Sequence, residues 1–193
     1  ATKLSLRRGG GGRWLPIGYD GSMNTICKRP IYFCGAHGVG KTSLARWVAD
    51  AYKLRRLGDV ARTELAFREV DLAALRLDVE AISDYQHAVF LGQVAAEEAM
   101  EPPYVSDRSF DNVAYLAHHG RGLAKLARSP EMAHYLTQVR GGVVFFVRPH
   151  DGRVLADGAR PLADTERDGQ MQIDGAVRLL LELWDIPHIP IPA

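Results

Sequence analysis

The sequence predicts an α/β fold of three layers, a central parallel sheet of about five strands held between helices. Two observations carry that prediction. From residue 30 onward, short apolar runs alternate with longer stretches of helical periodicity, and such alternation builds crossover units whose strands lie parallel. GVVFFV at 142–147 is a near-continuous apolar run entered through glycine, the mark of a strand buried on both faces. At 193 residues the chain is long enough to bury one such core.

The elements follow in order. Ile31–Cys34 is a short apolar strand after Pro30, and residues 42–53 form a helix with Leu44, Trp47, Val48 and Tyr52 at helical spacing. Residues 54–57 are a weak second strand. A long helix is expected over 80–100, with Tyr85, Val89 and Phe90 on one side, and Pro102 and Pro103 stop it. Residues 104–107 form the third strand, 110–119 and 130–139 two helices, and 142–147 the fourth strand. Ile173, Val177, Leu180, Leu181 and Trp184 mark a final amphipathic helix. Residues 188–191 close the sheet as an edge strand, since Pro190 cannot donate to a ladder. Ahead of this domain (30–193), residues 1–29 read as a basic leader. Lys3, Arg7, Arg8 and Arg13 precede the first acid, Asp20. Glycine at each of positions 9–12 makes the leader expected to be flexible.

Composition narrows the function classes. With 24 Lys+Arg against 23 Asp+Glu, the chain as a whole is no polyanion binder, so contact with DNA would have to be local. No apolar run approaches the roughly 18 residues of a membrane span. Cys27 and Cys34 make no disulfide framework, and a reduced, cytoplasmic setting is expected.

The chemistry begins behind the first strand. Gly35-Ala36-His37-Gly38-Val39-Gly40-Lys41-Thr42 satisfies G-x-x-x-x-G-K-[ST] in full. Glycines let consecutive backbone N–H groups surround a polyphosphate, and the following helix adds the positive end of its dipole. Lys41 places a point charge on the β- and γ-phosphates of ATP, and Thr42 offers a hydroxyl to Mg²⁺. Ser43 either bonds the α-phosphate or simply occupies the first turn. His37 reads as a loop filler rather than a catalyst.

A second site is expected at the end of the third strand. YVSDRS places Asp107, Arg108 and Ser109 where ligands bind in open α/β sheets. Asp107 has two readings there, as a ligand within the Mg²⁺ shell or as the base that takes a proton from an attacking hydroxyl. Arg108 can grip a phosphate or a sugar oxygen. Residues 148–169 hold Arg148, Arg153, Arg160 and Arg167 in a glycine- and proline-punctuated stretch, which reads as an arginine-bearing lid. Gln86 and Gln93 on the long helix are candidate readers of a base edge.

GAHGVGKTS, DVAR at 59–62, SDRSFDNVAY, DGAR at 157–160 with Arg167 after it, and LLLELWDIPHIPI occur in that order. In this the chain resembles the P-loop nucleoside and nucleotide kinases, and within them the phage and bacterial nicotinamide-riboside-kinase-like AAA ATPases. The resemblance spans roughly residues 30–192. It implies a three-layer, kinase-like P-loop NTPase fold, ATP and Mg²⁺ on the loop, an acceptor held near Asp59, Arg62, Asp107 and Arg108, and a lid contributed by Arg160 and Arg167. Deoxynucleoside kinases carry an acid-Arg-Ser triplet similar to Asp107-Arg108-Ser109, which points to a nucleoside or nucleoside monophosphate as acceptor. No Arg-Glu-Pro triplet follows the first helix, so DVAR is left to do its work. A guanine-reading Asn-Lys-x-Asp is missing from the sequence, which argues against a regulatory GTPase. Three expectations stay open beside the first: a kinase of a modified base or end in DNA, touched through the leader and Arg121, Lys125 and Arg128; a P-loop ATPase that is no kinase; and a homodimer.

Overall fold

The computed structural model describes residues 6–8, 14–16, 28–58, 60–68, 72–149 and 167–192. Within the leader, β1 (Leu6–Arg8) and β2 (Trp14–Pro16) pair antiparallel. The rest of the architecture is a five-stranded parallel sheet with helices on both faces. Its strands are β3 (Ile31–Cys34), β4 (Arg55–Arg56), β5 (Tyr104–Ser106), β6 (Val143–Val147) and β7 (His188–Ile191), in the spatial order β4-β5-β3-β6-β7. The chain therefore starts in the middle of the sheet, steps outward to β4, returns through β5 and crosses to β6 and β7. Ile31 pairs with both Val105 and Val143, and Cys34 with Phe146. β3 thus has a strand on either side, and the crevice at its carboxyl end is the topological switch point where open sheets bind ligands.

The helices are α1 (Lys41–Tyr52), α2 (Val60–Arg68), α3 (Leu72–Leu75), α4 (Val79–Glu98), α5 (Asp111–His119), α6 (Leu123–Leu126), α7 (Pro130–Arg140) and α8 (Arg167–Leu183). The apolar residues predicted to face inward do so: Tyr85, Val89 and Phe90 of α4 and Ile173, Val177, Leu180 and Leu181 of α8 are all buried. The expected helix at 42–53 departs from the pattern, since Trp47 and Tyr52 are 63% and 43% exposed while Ala45 and Ala49 turn inward. Small residues there let α1 lie close to the sheet. Phe110 has no exposed surface and meets Tyr135 edge-on and Trp184 at ring centroids 5.5 and 5.2 Å away, which ties α5, α7 and the end of α8 together.

Local chemistry sets the helix ends. Asp78 caps α4, its Oδ1 accepting from Glu80 N (2.9 Å) and Ala81 N (3.1 Å). Ser129 caps α7 with Pro130 in the first turn. α1 is different: its N-cap is Gly40 in the left-handed region (φ 91°), with no side chain on the leading N–H groups. Those donors face the loop instead. Sequence periodicity does not anticipate α2, α3 or α6; α3 and α6 are single turns of four residues. No helix among the described residues is long and apolar enough to cross a membrane.

Candidate active site

The loop between β3 and α1 is held from three directions. Gly35 sits at φ 147°, and a Cβ there would lie 2.2 Å from the carbonyl oxygen of Val147, so the neighbouring strand end leaves room for glycine alone. Gly38 (φ 70°) and Gly40 (φ 91°) turn the chain back toward the helix. Lys41, 9% exposed, donates to Gly35 O (2.9 Å) and Ala36 O (2.5 Å). Its ammonium group therefore lies inside the curve of the loop.

Asp107, at the tip of β5, faces this loop. Thr42 Oγ1 donates to Asp107 Oδ2 at 2.6 Å, although 65 residues separate the two in sequence. Asp111, one helical turn further on, is the residue that sequence reasoning missed. Its Oδ1 accepts from Gly35 N (2.8 Å) and lies 3.5 Å from Lys41 Nζ, while its Oδ2 accepts from Ser109 N (2.9 Å). One carboxylate thus clasps the start of the phosphate loop, the loop's lysine and the end of β5. The signal was available: an acid in the first turn of a helix that starts at a strand's carboxyl end, easily read as a mere cap.

His37 is buried at 2% exposure, and Nδ1 shares a 2.7 Å hydrogen bond with the Tyr115 hydroxyl. Gln170 of α8 donates to the His37 carbonyl at 2.9 Å. Helices α5 and α8 therefore brace the loop from the side, and His37 is a strut rather than loose filler. Arg148, expected within the lid, is pinned to buried Asp174 of α8 by two contacts of 2.9 and 2.7 Å and lies over the Phe146 ring. Arg167 opens α8 and is exposed. Asp59, Arg153 and Arg160 lie outside the described residues, as do positions 150–166 of the expected lid.

A narrow cleft opens beside the loop. Arg62 of α2, Arg76 after α3, Gln86 of α4, and Arg108, Asn112 and Tyr115 around α5 line it. Three of the residues singled out in sequence, Arg62, Gln86 and Arg108, thus converge on one cavity although they come from three elements. The cleft shares a wall with the phosphate loop. Tyr115 lines it and also bonds His37, and Asp107 and Arg108, consecutive in the chain, face Thr42 and the cleft respectively.

Gln93, expected beside Gln86, is placed elsewhere. Its amide donates to Glu97 Oε1 and to Ser106 Oγ in a buried network that also brings the hydroxyls of Tyr32, Tyr104 and Tyr135 onto Glu97. Seven residues put Gln86 and Gln93 on one helix face, but at 1.5 Å per residue they are about 10 Å apart along the axis. By Gln93 the helix has left the cleft and lies against the sheet. Burial pushes the Glu97 carboxyl up to about 7 even though four donors oppose the shift. Thr42 and Ser43 are exposed on the loop side of α1.

Sheet order, glycine loop and helix positions define a three-layer α/β P-loop NTPase of kinase-like fold. The chain belongs to the AAA_28 family of AAA domains, whose model matches residues 30–193. Among solved structures it is similar to the NadR protein in complex with NR, at a TM-score of 0.66 and 14% identity, over 86% of this chain and 44% of that one. The chain therefore spans less than half the length of NadR. It is similar also to shikimate kinase from Acinetobacter baumannii in complex with shikimate, at a TM-score of 0.51 and 15% identity over 86% and 83% of the two chains. Deoxyadenosine kinase from M. mycoides with bound dATP matches at a TM-score of 0.50 and 8% identity over 85% and 90%. At these identities the likeness is one of fold. No curated protein matches the chain.

Proposed function

We propose that the protein is an ATP-dependent phosphotransferase, assisted by Mg²⁺, whose acceptor is a nucleoside or (deoxy)nucleoside monophosphate. One observation carries the reading. The phosphate loop and the cleft holding Arg62, Gln86 and Arg108 share a wall, so a nucleotide on the first and an acceptor in the second would meet at Asp107.

The donor set fits a magnesium nucleotide. Thr42 Oγ1 and Asp107 Oδ2 are adjacent oxygens of the kind Mg²⁺ takes, and the leading N–H groups of α1 carry no side-chain cap. When bound, Mg²⁺–ATP supplies the phosphoryl group and neutralises charge between its phosphates. This chain's residues do the rest. The loop amides from Ala36 to Thr42 orient the phosphates, and Lys41, already inside the loop's curve, balances charge on the β- and γ-groups. Asp111 holds loop and lysine in register. Asp107 orients the acceptor hydroxyl or holds the metal's water shell, and Arg108 and Arg62 position the acceptor. Positioning and electrostatics suffice for phosphoryl transfer, since the protein is asked for little covalent chemistry.

The test is to incubate the protein with γ-labelled ATP, Mg²⁺ and a panel of nucleosides, nucleoside monophosphates and DNA carrying modified bases. The reading expects label in a nucleoside or monophosphate. ADP formed at the same rate with and without every acceptor, and no labelled product, would mean an ATPase that is no kinase; label in the DNA alone would make the polymer the substrate.

A further inference from the structure

Arg76 and Asn112 stand outside the set that the sequence points to, yet both line the cleft. With Arg62 and Arg108 they bring three guanidinium side chains to one cavity, and none of the described residues lining it is a carboxylate. Arginine is suited to carboxylates and phosphates because its planar fork matches their paired oxygens. The Arg76 charge is felt nearby: the His119 imidazole is pushed down to about 4, first by burial and then by Arg76.

Asn112 supplies an independent observation. It is 2% exposed, and neither its Nδ2 nor its Oδ1 has a hydrogen-bond partner among the described residues. A buried polar group left without a hydrogen bond is destabilising, so an amide with both ends unmade needs a reason. A ligand that presents an acceptor and a donor side by side would satisfy both ends at once.

We propose that the acceptor is an anion: a small molecule bearing a phosphate monoester or a carboxylate gripped by Arg62, Arg76 and Arg108, with a polar donor–acceptor edge read by Asn112. The inference rests on the phosphotransferase reading of the site and narrows it. Between a nucleoside and its monophosphate it selects the monophosphate, and it admits a carboxylate of similar size. A neutral acceptor would gain little from three arginines, and a cationic one would be repelled.

Calorimetric titration in the presence of saturating ADP, which fills the phosphate loop, tests this. The probes are the four common nucleosides, their 5′-monophosphates, shikimate and methyl shikimate. At least one charged member should bind ten times more tightly than its neutral partner, a nucleotide pair pointing to phosphate and the shikimate pair to carboxylate. Arg76→Gln should cut that preference to within threefold, while Asn112→Leu should weaken both members of the pair together. Each variant should keep the wild-type affinity for ADP, which shows that it is folded. Equal affinity within every pair, a preference untouched by Arg76→Gln, or binding by no probe at all would overturn the inference. If the preference appears but no probe accepts phosphate from ATP, the anion site stands and the phosphotransferase reading falls. If a neutral nucleoside is phosphorylated with no preference for charge, the reverse holds.

Discussion

At the scale of single residues, the site depends on two carboxylates four positions apart that do different jobs. Asp111 is buried and accepts from two backbone N–H groups, so its replacement by alanine strands Gly35 N and Ser109 N. Asp111→Ala is expected to cost about 2–4 kcal/mol in urea unfolding, and Asp111→Asn, which keeps one acceptor oxygen, distinctly less; equal losses would mean the clasp is not what Asp111 contributes. Lys41→Ala should leave the protein folded, with a cooperative urea transition, while lowering phosphotransfer by at least 100-fold, the scale on which preorganised charge acts at transferring groups. Near-normal turnover in that variant would remove Lys41 from its assigned role. The glycine-lysine loop was legible in sequence because every contact that defines it is local. Asp111 and Asn112 were not, because what they touch depends on how α5 lies against β3 and α4, and no spacing along the chain encodes that.

At the scale of elements, periodicity served well where a helix buries a full stripe and poorly where it does not. α4 and α8 each bury four or more apolar side chains and were read within a few residues of their ends. α2, with the sequence VARTELAFR, carries little stripe, and DVAR entered only as an acceptor-binding segment implied by resemblance. The residue of that segment that matters, Arg62, still reaches the cleft, because α2 packs on α4 through the Tyr85 hydroxyl, which donates to Ala61 O at 3.0 Å. The Asp78 cap of α4 is exposed and does not line the cleft. Asp78→Ala should therefore destabilise the fold by about 1 kcal/mol with kcat unchanged, measured by paired urea and activity assays. Phe110 joins three helices, and Phe110→Ala should cost about 3–5 kcal/mol.

At the scale of the whole molecule, the sheet has a chemical end and a structural end. The carboxyl ends of β3 and β5 carry the loop, Asp107 and the cleft. Beneath them, between α4, α7 and the sheet, Glu97 gathers three tyrosines and Gln93. Burial raises Glu97 from 4.5 to about 7, so between those values the folded protein holds a proton that the unfolded chain has released. Stability from this group is therefore full below about pH 4.5 and is lost as pH rises through about 7. The difference amounts to about 3 kcal/mol. Glu97→Gln removes the titration and keeps the shape, so its urea stability should fall less than the wild type's between pH 5 and pH 8; parallel profiles would show that Glu97 does not titrate in this window. β3 and β6 were plain in sequence because strands buried inside a parallel sheet leave apolar runs, whereas β4, the exposed pair Arg55–Arg56, left only a weak one. The split of α4 into a cleft-lining half and a sheet-facing half was not, since both halves show the same helical face. The central claim is that Asp107 works at the junction of loop and cleft without holding the fold together. Single-turnover transfer of the γ-phosphate by Asp107→Asn tests it most directly: the account predicts transfer slowed at least 100-fold with ATP affinity within a few-fold of wild type, and wild-type transfer, or collapsed ATP affinity with undiminished transfer per bound ATP, would contradict it.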